Sequence, residues 1–111
     1  MNFCIDSTVG AIGRAGRQAT MIRVYGIVDD RTFIFRYNTG PKCQAWISNR
    51  GGGRLGTGKD LRREPRQHEP VFIRETLRDL LYEVFGLEPD VFDAYITLRA
   101  MTGKLNRRVG I

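Results

Sequence analysis

The chain reads as one α+β domain: a three-stranded, at most four-stranded, antiparallel sheet covered by a C-terminal pair of helices in two layers. Three observations lead there. Strand-like runs fill residues 22 to 48, a helical stripe begins after Pro70, and 111 residues are too few for two independent cores. With 41% apolar and 10% aromatic residues there is enough material for one core, outside the range of disordered chains.

The first twenty residues are small and glycine-rich with little periodicity, which predicts a poorly ordered arm. Their alternative is an edge strand built on Phe3, Ile5, Val9 and Ile12. Residues 21 to 111 then make the domain itself. Ile22 to Val28 and Thr32 to Tyr37 are rich in β-branched and aromatic residues, and the polar Asp29-Asp30-Arg31 between them predicts a hairpin. On its second strand Phe33, Phe35 and Tyr37 share a face, and Gly26 on the first marks a bulge or a close backbone approach. Turn residues at Asn38 to Pro41 lead to a third strand, Cys43 to Ser48. There Cys43, Ala45 and Ile47 face one way and Trp46 the other, which makes Trp46 the best candidate for an exposed ring.

From residue 49 to residue 70 the chain holds five glycines and two prolines, and it reads as a long Gly/Arg-rich surface loop. Beyond it Ile73, Leu77, Leu80, Leu81 and Val84 recur at helical spacing, and Gly86 is placed to stop that helix. Pro89 suits the first turn of a second helix, with acidic Glu88, Asp90 and Asp93 at its start and apolar positions running up to Gly103. The ending from Lys104 onward reads as a basic tail or a last edge strand. There is no internal repeat and no heptad pattern.

The 18 basic and 12 acidic side chains leave a net charge of +6, which suits a polyanionic partner. Their distribution is uneven: residues 71 to 103 carry three basic and six acidic groups, so the excess lies on the first half, the loop and the tail. The loop residues Arg50, Arg54, Lys59, Arg62, Arg63 and Arg66, with Trp46 beside them and Lys104, Arg107 and Arg108 in the tail, are the candidate nucleic-acid contacts. Gly53 to Asp60 also matches the spacing of a phosphate-binding loop. Asp60 stands where Ser or Thr would hold magnesium, and no apolar helix follows, so the pattern is better read as a basic loop.

No catalytic constellation is found. His68 is the single histidine and has no partner in sequence, which leaves a small RNase-like enzyme as a distant reading. Cys4 and Cys43 with His68 cannot complete a zinc site, and no metal or other cofactor is expected. No apolar run approaches the length of a membrane span, and without a signal-peptide pattern the expected location is the cytoplasm. The leading expectation is a non-enzymatic module that binds nucleic acid or a nucleoprotein. The competing one is a small protein-binding regulator or inhibitor, such as a mobile element encodes, docking through Phe85, Leu87 and Phe92 at the helical turn. Oligomeric state is left open by the sequence, a homodimer included.

Overall fold

A computed structural model describes residues 2–10 and 21–108, with side chains through residue 102. Five strands in the spatial order of their sequence form one antiparallel sheet: β1 (Phe3–Val9), β2 (Met21–Val28), β3 (Arg31–Asn38), β4 (Gln44–Ser48) and β5 (Arg54–Asp60). Helices α1 (Pro70–Phe85) and α2 (Pro89–Arg108) follow. The α+β plan holds, and the sheet has five strands rather than three or four.

Both extra strands come from segments with weak strand signals. At the N-terminus Phe3 and Ile5 pack on the core from β1, so the edge-strand alternative describes residues 3 to 9, while Ile12 lies outside the described residues. The second is a correction. Arg54–Asp60, inside the expected loop, pairs with β4 as the opposite edge strand. A tight turn feeds it: Gly53 N–H donates to Asn49 Oδ1 (2.9 Å) and Asn49 N–H to the Gly53 carbonyl (2.8 Å). The tail is also reassigned, because α2 continues through Arg108 instead of stopping near Gly103.

The β2–β3 hairpin has the shortest connection the chain allows. Val28 pairs with Arg31, and Asp29 and Asp30 both take left-handed backbone angles (φ 48° and 66°). Two such residues give a turn whose twist matches the strands, and aspartate tolerates the conformation better than most side chains. Gly26 is needed for close approach, since a Cβ there would lie 2.6 Å from both the Cys4 carbonyl oxygen and the Phe33 ring.

One face of the sheet is the core. Ile22, Val24, Val28, Phe33, Phe35, Tyr37, Ala45 and Ile47 are buried against Leu77, Leu80 and Leu81 of α1 and Phe92 of α2. Burial holds the Cys43 thiol and the Tyr37 hydroxyl above their ordinary pKa values. Gly86, left-handed at φ 72°, ends α1: its N–H donates to the Tyr82 carbonyl (2.9 Å) and the Leu87 N–H to the Leu81 carbonyl (3.4 Å).

At the far edge Phe3 contacts Phe92 and Tyr95, with ring centroids 5.7 and 4.8 Å away. There the β1 bulge offers Ile5 to α2: its N–H donates to Tyr95 Oη (3.0 Å), and its carbonyl accepts from Arg99 (3.2 Å). Leu87 and Phe92, each 1% exposed, therefore seal the corner where the helices meet, and only Phe85 of the expected docking trio is half-exposed. Phe92→Ala is expected to lower stability by about 3–5 kcal/mol in urea unfolding, the usual loss when a buried ring is truncated.

Candidate nucleic-acid interface on the open sheet face

Strand side chains alternate between faces, so the register that buries one set presents the other. On β2 the alternation runs without a break, Ile22, Val24, Gly26 and Val28 inward and Arg23, Tyr25 and Ile27 outward. Both helices pack on the inward face, and among the described residues no helix covers the other.

Two rows of paired residues cross this face. In the first, Val9 stands opposite Arg23, Arg23 opposite Arg36, and Arg36 opposite Trp46. In the second, Ser7 stands opposite Tyr25, Tyr25 opposite Ile34, Ile34 opposite Ser48, and Ser48 opposite Arg54. Toward β1 the rows enclose an open concavity of about 590 Å³, lined by Asp6, Ser7, Val9, Tyr25, Ile34, Arg36 and Arg50. Toward β5, the Arg54 guanidinium lies 4.6 Å from the centre of the half-buried Trp46 ring.

The glycines that imitate a phosphate-binding loop build this corner. Between the Ile47–Leu55 and Ala45–Lys59 pairs, residues 56 to 58 of β5 span the place of Trp46 alone on β4. Gly56 and Gly58 take left-handed angles (φ 75° and 81°) to make that bulge, and a Cβ on Gly58 would sit 2.7 Å from the Ala45 carbonyl oxygen. Lys59, the lysine of the would-be phosphate loop, instead reaches α1, 3.9 Å from Asp79 and 3.6 Å from Glu83.

The candidate contacts thus divide into two groups. Arg50, Arg54 and Trp46 border the open face. Arg62 is forked onto Asp60 (2.9 and 2.7 Å), and that pairing holds the Asp60 carboxyl below its ordinary pKa range. Arg66 lies 3.2 Å from Glu64 and 3.9 Å from Glu75, with its guanidinium over Phe72. Arg63 makes no ion pair with a described residue, and it stands on the 61–69 turns away from the sheet rows. Lys104, Arg107 and Arg108 lie in the last turns of α2, and their side chains are outside the described ones.

Arg23, Tyr25 and Arg36 are absent from the sequence-level site. Their signal was the β2 and β3 alternation, which fixes the facing of polar positions as firmly as that of apolar ones. No carboxylate of a described residue lies within ion-pair distance of Arg23 or Arg36. Arg36 Nε donates to Ser48 Oγ (3.3 Å), and Arg23 Nε lies 3.4 Å from the Met21 sulfur. Two guanidinium groups in directly opposed strand positions repel each other. Asp6, 4.0 Å from Arg50, is the carboxylate that lines the concavity.

Comparison of the chain with family models, with curated proteins and with solved structures returned no match. Among the described residues there is no metal-binding cluster and no helix long and apolar enough to cross a membrane.

If Arg23 and Arg36 form a repulsive pair, Arg23→Gln raises stability in urea unfolding by roughly 0.2–0.5 kcal/mol. A lower stability for Arg23→Gln shows instead that the side chain holds the sheet together.

Proposed function

We propose that this chain is a non-enzymatic module that binds single-stranded nucleic acid on its open sheet face. Phosphates lie against Arg23, Arg36, Arg50 and Arg54, and bases stack on Tyr25 and Trp46. The observation that carries the reading is the Arg23–Arg36–Trp46 row: two opposed cations without a carboxylate, ending on an aromatic ring. A polyanion relieves that repulsion, and an aromatic among cations offers a base a stacking surface at the same place.

Single strands fit better than duplexes because a duplex keeps its base faces stacked inside, where Tyr25 and Trp46 cannot reach them. Concerning the 49–70 segment, the proposal keeps the nucleic-acid partner and moves the centre of contact. Lys59, Arg62 and Arg66 already face carboxylates, so a phosphate gains less there than on the sheet. Docking of a protein through Phe85, Leu87 and Phe92 has less support, because two of the three are core residues.

The test is fluorescence anisotropy with labelled single- and double-stranded RNA and DNA over a range of salt. Single strands bind at physiological salt, Arg36→Ala lowers the salt slope by roughly 0.7, and Trp46→Ala costs about 1–3 kcal/mol of binding. Arg62→Ala with Arg63→Ala changes affinity much less. Loss of binding in the Arg62/Arg63 variant alone returns the site to the 61–69 turns, and no binding at physiological salt overturns the reading.

A further inference from the structure

Helix α2 has two apolar faces, and the core uses one. Phe92, Tyr95 and Ile96 turn toward β1 and the core, with Arg99 alongside on the Ile5 carbonyl. On the opposite side Val91, Ala94, Leu98 and Met101 are exposed, Leu98 at 63% and Met101 at 61%. Their spacing of three, four and three residues is a heptad seam, and the sequence continues it at Leu105. Two heptads mixed with inward apolar positions show no repeat by eye; the seam emerges once the inward set is identified and removed.

Residues 97 to 102 are exposed at every position, and this part of α2 is tied to the domain's body through the Arg99 hydrogen bond to the Ile5 carbonyl rather than through a packed apolar face. At 20 residues the helix is about 30 Å long, and a helix segment in water without a packed face is only marginally stable. An exposed seam on such a segment calls for a partner.

We infer that the partner is a second copy of this chain, joined through an antiparallel α2–α2 pair. The charge pattern of α2 selects both the partner and the direction. Its start is acidic, with Glu88 and Asp90 and with Asp93 facing Arg78 of α1 (3.6 Å), and its end is basic, with Lys104, Arg107 and Arg108. A parallel pair sets like charges together; an antiparallel pair sets each acidic start against the partner's basic end. Asp90 and Lys104 are two heptads apart, both one position ahead of a seam residue, and they are mutually opposed in the antiparallel arrangement. A single pair of helices buries less than a standard interface, which makes this a weak, reversible dimer. The inference does not depend on the nucleic-acid reading, and it is tested on the free 111-residue chain.

Sedimentation equilibrium over a wide concentration range is the test. The wild-type chain is expected to pass from monomer to dimer. Leu98→Glu with Met101→Glu remains monomeric and melts as the wild-type chain does at concentrations where that chain is itself monomeric, since both side chains are exposed in the single chain. Asp90→Lys weakens the dimer by roughly threefold to tenfold, and adding Lys104→Asp restores it. That rescue separates pairing across the interface from a local effect, because both changes oppose the helix dipole. A wild-type chain that stays monomeric, or a dimer insensitive to Leu98→Glu with Met101→Glu, overturns the inference. A dimer that Asp90→Lys with Lys104→Asp fails to restore refutes the antiparallel arrangement.

Discussion

The described surface of this molecule is organised by a mismatch between five strands and two helices. A pleated sheet offers two faces, and a single layer of two helices covers one of them. Each strand residue is thereby committed. Phe33, Phe35 and Tyr37 pack inward because their spacing of two puts them under the helices, and Ile34 and Arg36 face outward by the same step. Ile34 is nonetheless buried, at 5% exposure, so the open face shelters some apolar surface of its own between Tyr25 and Ser48.

The electrostatics of the two basic regions differ in kind. Around the 61–69 turns each strong cation contact is with a neighbour in sequence or with α1, such as Arg62 on Asp60 and Arg66 on Glu64 and Glu75. Such exposed pairs contribute little to stability, but they lower the positive field that a distant phosphate meets. On the sheet Arg23 and Arg36 stand opposite one another by backbone register, with Arg23 turned to the Met21 sulfur and Arg36 to Ser48 rather than to a carboxylate. Like charges at opposed strand positions are unfavourable, and an anion placed between them offsets that cost.

The sequence made much of this architecture legible. The β2–β3 hairpin, the facing of Cys43, Ala45 and Ile47, the α1 stripe and the Gly86 stop are local patterns, and local patterns survive into the fold. β5 was not legible because its stabilisation is not local. Arg54–Asp60 has two glycines and a single aliphatic side chain, so its propensity is poor; it becomes a strand because β4 offers an unpaired edge and the glycines let it pass around Trp46. β1 is similar, secured by Phe3 against Phe92 and Tyr95 some ninety residues away. For the site, Arg50 and Arg54 could be found by composition, and Trp46 by its facing on a single strand. Arg23, Tyr25 and Arg36 could not, since each is an ordinary polar position until both strands are placed side by side.

Trp46 is the chain's one tryptophan and stands at the end of the arginine row, so it reports on that row directly. The decisive measurement is a titration of its intrinsic fluorescence with a short single-stranded oligonucleotide at physiological salt. Stacking of a base on the ring, beside Arg54, predicts saturable quenching that moves to higher oligonucleotide concentration in Arg36→Ala with the ring still present. Binding by anisotropy with no change in Trp46 emission contradicts the account, for it places the nucleic acid elsewhere on the molecule.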